Sequence, residues 1–102
     1  MDPSVTFIED IEGAKIGLAY GLMIFEVHKN SSTIPHKHAS SELWIVLSGK
    51  GVANYNDINI QLSAGSQLTV NPNSVHFIKN ESDEPIQILA MWWREANGKS
   101  AE

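Results

Sequence analysis

The sequence predicts an all-β domain, either a sandwich or a barrel of short antiparallel strands. Short apolar stretches rich in Val, Ile, Leu and aromatic residues recur along the chain, separated by Gly, Asn, Asp, Ser and Pro. This spacing is typical of sandwiches and barrels. No segment has the period of an amphipathic helix, and no internal repeat is evident. The chain should therefore form one all-β domain spanning residues 1–102.

The first half of the chain predicts two strands. Residues 5–8 form a short apolar piece that is expected to be an edge strand, and Gly13 and Gly17 bracket a turn-rich connection. Residues 19–27 are apolar on both faces, which is typical of a strand covered on both sides. Residues 29–33 are polar and predict a turn.

The second half predicts the remaining strands, over residues 42–47, 52–55, 58–62, 67–70, 75–79 and 86–93. Asn56 and Asp57 stand between two of them and tolerate the positive φ that a two-residue hairpin requires. Residues 95–102 lack any apolar period and are expected to form a flexible tail. The ordered barrel is thus expected over about residues 5–94.

Composition excludes several classes of function. A chain of 102 residues with 42% hydrophobic and 19% charged residues is an ordinary globular protein. Its net charge of -5 argues against nucleic acid or an anionic membrane as a partner. It contains no cysteine, so disulfides and thiolate ligands are excluded. With no evident signal peptide and only short apolar runs, a cytoplasmic location is expected.

One stretch, residues 34–49, carries the chemistry. His36, His38 and Glu42 lie within seven residues and lead directly into an apolar strand. A single histidine is usually a surface residue or a core residue with a hydrogen-bond partner. Two histidines at a spacing of two, followed by a carboxylate four residues later, instead favour a divalent metal site. Such a site calls for a further ligand elsewhere, and His76 is the candidate.

Two segments resemble the motifs of the cupin superfamily. Residues 36–49 read H-x-H-x3-E-x6-G, which is similar to the first cupin motif, G-x5-H-x-H-x3-4-E-x6-G. Residues 65–80 resemble the second, G-x5-P-x-G-x2-H-x3-N, with Gly65, His76 and Asn80 at matching positions.

Three asparagines depart from these motifs. Asn30 stands where the first motif begins with Gly, Asn71 replaces the Pro of the second motif, and Asn73 replaces its second Gly. Asn is the non-glycine residue that best adopts a left-handed conformation, so the turn at Asn73 remains feasible.

The resemblance implies a double-stranded β-helix, the jelly-roll barrel of a small single-domain cupin. It also implies one divalent transition metal per chain, held by His36, His38, Glu42 and His76, with Glu42 facing inward. Fe, Mn, Ni, Zn and Cu fit this ligand set alike. Glu42 is the residue of the set that could also move protons, which makes it the catalytic candidate.

Four interpretations of the metal site stand open. The first is a dioxygenase-like oxidoreductase, and the second is a cupin isomerase or lyase. The third is a module that binds a small ligand without turnover, and the fourth is a structural metal that joins two sheets. The presence of all four ligands favours an enzyme over a binding module, because a pocket that only binds a ligand need not keep all four.

The charge pattern bears on the substrate. Lys37 and Lys79 alternate away from the histidines, and Lys50 lies in a turn. Lys15, Lys29 and Arg94 are not assigned to a face, so no cation is clearly placed on the inward side. Because an anionic substrate normally meets Arg or Lys, a neutral or apolar substrate is expected.

The strands over residues 42–47 and 86–93 are apolar on both faces. This is more hydrophobic surface than one small core can cover, which predicts a homodimer. A dimer is also common among small cupins.

Overall fold

A computed structural model describes residues 5–15, 18–35 and 37–94 of the chain. The described residues form nine strands and no helix. The strands are β1 (Val5–Lys15), β2 (Leu18–Val27), β3 (Ser31–Ser32), β4 (Ser41–Ser48), β5 (Lys50–Tyr55), β6 (Ile58–Ser63), β7 (Gln67–Val70), β8 (His76–Asn80) and β9 (Ile86–Arg94).

These strands build two antiparallel sheets. The larger sheet has the order β1-β2-β9-β4-β7, and the smaller has the order β3-β8-β5-β6. The chain crosses repeatedly between the sheets, so β8 of the smaller sheet follows β7 of the larger one. The prediction of an all-β jelly-roll barrel is confirmed.

The core lies between the sheets and follows from side-chain alternation. Alternate residues of β2, β4 and β9 point inward, and β9 pairs with both of the other two strands. From the smaller sheet, Ile78 closes the core. The largest buried apolar side chains are those of Phe25, Val27, Trp44, Val46, Leu62, Val70, Ile78, Ile86 and Ile88.

Asparagines occupy the tight turns, as the sequence predicts. Asn56 and Asp57 form the β5–β6 hairpin with φ of 50° and 67°. Asn73 has a φ of 62° and Asn30 a φ of 52°. Asn at these positions takes over the conformation that glycine supplies in the motifs, because its short polar side chain tolerates the left-handed region.

The amino-terminal prediction is wrong in its extent. The first strand does not end at Ile8 but continues to Lys15, and Gly13 lies within it rather than in a turn. The reason is tertiary, since β1 pairs with β2 along its whole length despite its acidic residues, with one bulge between Phe7 and Glu9. A Cβ at Gly13 would lie 2.6 Å from the ring of Tyr20. Glycine therefore serves close packing here.

Residues 31–32 are a second local correction. They lie in the polar segment for which a turn is predicted, yet they form β3 and pair with β8. In so short a strand, backbone pairing with β8 outweighs the weak local preference for a turn. The predicted tail, residues 95–102, lies outside the described residues.

The outward side of the larger sheet is strongly apolar. We call the surface formed there by Ile11, Tyr20, Leu22, Met91 and Trp93 the outer face. Ile11 is 55% exposed, Tyr20 43% and Trp93 40%. Trp92 points to the opposite side of the sheet from Trp93, as strand alternation requires.

Candidate metal centre

Glu42 is the buried acid at the middle of the site. It shares the inward face of β4 with Trp44 and Val46, and only 4% of its surface is exposed. A bend at residues 39–40 leads into β4, and Glu42 is the second residue of that strand. A buried carboxylate is costly unless charged or hydrogen-bonding groups face it. The surroundings of Glu42 must therefore supply such groups.

Two histidines face the carboxylate, one from the segment that precedes β4 and one from the smaller sheet. His38 lies in the segment before β4, and its Nε2 is 3.1 Å from Oε1 of Glu42. His76 begins β8 of the smaller sheet, and its Nε2 is 3.4 Å from the same oxygen. One ligand atom from each residue lies within 4.8 Å of the other two. The three side chains therefore converge on one point between the sheets.

The turn before β8 orients His76. The carbonyl oxygen of Ser74 lies 2.8 Å from Nδ1 of the ring. Because a carbonyl only accepts hydrogen bonds, Nδ1 carries a proton and donates, which leaves Nε2 directed toward Glu42. When protonated, Nε2 donates to the carboxylate, and when deprotonated it offers its lone pair to a metal ion. A second bond, from the backbone N–H of Asn73 to the carbonyl of His38 at 2.7 Å, ties the same turn to the segment of the other histidine. A histidine whose far nitrogen is fixed in this way is typical of metal ligands.

Aromatic packing holds the two rings in place. The His38 and His76 rings meet edge to face with centroids 5.2 Å apart. Trp44 packs against His76 in the same manner at 5.4 Å. His76 is 1% exposed, so its ring has little room to turn.

The ionisation of the site is set by this geometry. Burial by itself raises the pKa of Glu42, but the hydrogen bond from His76 and the positive charges of His38 and His76 outweigh burial. The pKa of Glu42 therefore lies below its ordinary value of 4.5. Burial by itself lowers the pKa of His76, but the bond to Glu42, the Ser74 carbonyl and the charge of Glu42 raise it above 6.5.

The donor set fits a divalent metal. Two imidazole nitrogens and a carboxylate oxygen suit Fe, Mn, Ni, Zn and Cu, and all three belong to one cluster in which Glu42 and His76 are buried. The structure thus brings together three of the four predicted ligands. The fourth, His36, lies outside the described residues.

An apolar cavity adjoins the cluster. It has a volume of about 220 Å³ and reaches Glu42 and Trp44 at one end. Its other lining residues are Val5, Phe7, Met23, Phe25, Thr33, Ile34 and Ile78.

A second cleft, of about 250 Å³, reaches His38 and Glu42 from another side and contains Arg94. The sequence interpretation did not assign Arg94 to a face and ended the last strand at Trp93. The strand continues through Arg94, so the alternation of Ala90 and Trp92 places the arginine inward. A cation therefore does face the site, and extending the alternation by one residue would have found it.

The sequence model of the cupin domain matches residues 23–92, which is more than half of the chain. This chain belongs to the cupin family. The match includes His38, Glu42 and His76, so the converging residues lie within the family domain.

Relatives share the fold more clearly than a function. An uncharacterized protein from Aquifex aeolicus is 30% identical over 95 residues, covering 92% of this chain and 78% of that protein. A cupin-2 domain from Rhodospirillum rubrum superposes with a TM-score of 0.77 at 22% identity, covering 99% of this chain and 64% of the other. The polyketide cyclase RemF from Streptomyces resistomycificus gives a TM-score of 0.76 at 21% identity, covering 92% and 68%.

At these identities the structural similarities establish the fold alone. The cupin chain spans less than two thirds of the Rhodospirillum rubrum chain. No helix among the described residues has the length and hydropathy of a membrane span. The cytoplasmic location and the absence of nucleic-acid and membrane partners stay predictions.

Metal content tests the site directly. Replacing His38 or His76 with Ala should reduce bound metal well below one equivalent, because each change removes one of the converging nitrogens. Metal is measured by elemental analysis of purified protein, and folding by circular dichroism. His28→Ala is the matched control, since His28 bonds Thr6 away from the cluster. Full metal retention in both site variants would refute the site.

The pKa shifts predict how stability depends on pH. The lowered pKa of Glu42 contributes stability above pH 4.5 that is lost as pH falls through the folded pKa. The raised pKa of His76 contributes stability below pH 6.5 that is lost as pH rises through the folded pKa. In chelator-treated protein, Glu42 and His76 should therefore stabilise the fold most between pH 4.5 and pH 6.5. The melting temperature should fall as the pH rises above this range.

Stabilisation by added Zn²⁺ should instead increase with pH, because the ion binds the deprotonated ligands. The rise in melting temperature on adding Zn²⁺ should grow from pH 5 to pH 8, as followed by scanning calorimetry. A rise that is the same at every pH would contradict this assignment of protons.

Proposed function

We propose that this cupin is a metal-dependent enzyme acting on a small organic molecule, with oxidation by dioxygen as the leading reaction. In the reaction proposed, both atoms of dioxygen enter the organic product and the substrate supplies all the electrons, so no further co-reactant is needed. An isomerase or lyase reaction at the same site is the alternative. A small-ligand module without turnover is the competing class.

One observation carries this proposal. The carboxylate that His38 and His76 face also lines a preformed apolar cavity. A structural metal site is closed by its ligands, whereas a catalytic site adjoins space for a substrate. A cavity of about 220 Å³ exceeds the 150 Å³ or so that suffices for benzene. It can therefore take a single ring or a short branched chain.

The protein's own residues divide the work. Phe25 and Ile78 surround the apolar part of the substrate and exclude water, which strengthens electrostatic interactions at Glu42. Glu42 turns Oε1 toward both histidines, and its other oxygen can hold a proton taken from the substrate. When bound, the ion would act as a Lewis acid of reduced net charge.

The cavity supports the apolar character that the sequence predicts for the substrate. The prediction that the substrate is neutral had another basis, namely that no cation was placed on the inward side. Arg94 removes that basis.

The proposal is tested with Glu42→Gln, which removes the negative charge while nearly preserving shape. We expect the variant to fold, to bind metal more weakly, and to lose at least tenfold in turnover even at saturating metal. Wild-type protein loaded separately with Fe²⁺, Mn²⁺, Ni²⁺, Zn²⁺ and Cu²⁺ is screened for dioxygen uptake and for product formation by mass spectrometry. Glu26→Gln, at a carboxylate that faces Gln87 outside the site, is the control.

The binding-module interpretation has a different outcome. A library compound that binds metal-loaded wild type and emerges unchanged under every condition, with no turnover of any other compound, would refute the enzymatic proposal.

We also propose that two copies of the chain associate through the outer face of the larger sheet. Ile11, Tyr20 and Trp93 lie together on this face, each with at least 40% of its surface exposed. A groove beside them is lined almost entirely by apolar atoms, including those of Leu22 and Met91. Such a face on a small domain favours a self-complementary twofold contact.

Sedimentation tests the dimer. Wild-type protein at micromolar concentration should sediment at about twice the 11.3 kDa of one chain. Trp93→Glu should sediment as a monomer, because a carboxylate cannot be buried in an apolar contact without a partner. Ile58→Glu is the control, since Ile58 is 62% exposed on the smaller sheet. A wild-type protein that is monomeric would exclude the dimer.

A further inference from the structure

The candidate metal centre is approached by two cavities of different chemistry. The apolar cavity and the Arg94 cleft share two lining residues, Met23 and Glu42. Glu42 therefore stands where the two spaces approach each other. A ligand that occupied both would pass beside the cluster of His38, Glu42 and His76.

Arg94 is held in a defined position in its cleft. Its Nη1 lies 3.3 Å from Oγ of Ser40 and donates to that oxygen. Its guanidinium lies over the indole of Trp92, 5.0 Å from the ring centroid. Ser40 is 4% exposed and stands two residues before Glu42. This arrangement couples the position of the cation to that of the site.

Glycine at position 21 makes this stack feasible. Gly21 pairs with Trp92 across β2 and β9, and a Cβ there would clash with the indole. The indole can therefore lie against the backbone of β2. A guanidinium stacked on an aromatic ring and anchored by one hydrogen bond loses little freedom when it binds a planar anion.

The charges around the cleft select the type of anion. Glu12 also lines it, in addition to Glu42. With one divalent ion bound, the ion and Arg94 would leave a net charge of about +1 against these two carboxylates. One carboxylate neutralises this charge, whereas a phosphate or a dicarboxylate would exceed it. The cleft therefore favours a monoanion.

We propose that the substrate is a small monocarboxylic acid with an apolar body, whose carboxylate binds Arg94 while the body fills the apolar cavity. Arg94 is then a specificity-determining residue. This inference rests on the proposed function for the assignment of the site. It adds Arg94 as an anchor for the carboxylate end of the substrate, while the apolar end fills the cavity.

The test measures binding and not turnover, on full-length protein loaded with redox-inert Zn²⁺. The probes are benzoate, phenylacetate and 3-phenylpropanoate, each compared with its neutral amide by titration calorimetry. The acid whose length spans the two cavities should bind at least about tenfold more tightly than its amide, as expected for a charge-assisted pair. Comparison of the three acids also shows which chain length spans the distance from the apolar cavity to Arg94.

Two variants of opposite effect check the assignment. Arg94→Gln should abolish the preference for the acid, and Glu12→Gln should increase it because it removes an opposing charge. Lys50→Gln, at a cation outside the cleft, should leave it unchanged. If Arg94→Gln impairs folding, Arg94→Lys and Glu12→Gln decide the matter: a decrease and an increase are expected, respectively.

Several outcomes would overturn the inference. Equal binding of every acid and its amide excludes an anion anchor. A preference that survives in Arg94→Gln shows that the ion itself takes the carboxylate.

The proposed function can fail separately. If the acids bind through Arg94 but no compound is turned over, the enzymatic proposal fails and the anchor stands. If a neutral compound is turned over at a rate that Arg94→Gln does not change, the anchor fails and the enzyme stands.

Discussion

The structure depends on a carboxylate buried between two sheets. Glu42 is almost fully enclosed, and its cost of desolvation is offset because His38 and His76 face the same oxygen. One of these histidines precedes a strand of the larger sheet, and the other begins a strand of the smaller sheet. The pairing therefore makes the site dependent on how the two sheets are joined. Substituting any of the three would leave the other two facing an incomplete set of partners.

Backbone contacts serve this cluster as much as side chains do. The Ser74 carbonyl orients His76, and the Asn73 N–H bonds the carbonyl of His38. The left-handed conformation of Asn73 directs its N–H in this way. A turn that departs from the family motif in sequence thus retains the motif's function in backbone geometry. This is a physical reason for accepting asparagine where glycine is usual.

The surroundings of the cluster differ from side to side. The apolar cavity offers an apolar space beside the carboxylate, whereas the second cleft presents a guanidinium held by Ser40 and Trp92. In the proposed binding mode, these unlike neighbours would meet the two ends of the ligand. The apolar outer face of the larger sheet lies on the other side of the same strands, so β9 contributes to the core, to the Arg94 cleft and to the proposed dimer contact.

The sequence by itself determined the fold class, the family, most strand positions and the residues that converge. Local patterns suffice for the fold class, the strand positions and the turns, because alternation sets which side chains of a strand point inward and asparagine marks the left-handed turns. The family, the ligand set and the inward position of Glu42 came instead from the resemblance of two segments to the cupin motifs. Residues 36–42 also carry much of the ligand pattern in a short span. His36 keeps its predicted role untested, since it lies outside the described residues.

Only the tertiary structure decided what depends on distant pairing. Pairing with β2 extends β1 to Lys15, although Gly13 by itself indicates a turn. The meeting of His76 with Glu42 depends on how the two sheets are joined, which no spacing reveals. The position of Arg94 follows from one further residue of β9 pairing with β2, opposite Ala19. Strand ends are set by the partner strand rather than by the residues themselves, and here one strand end places a cation in the cleft beside Glu42.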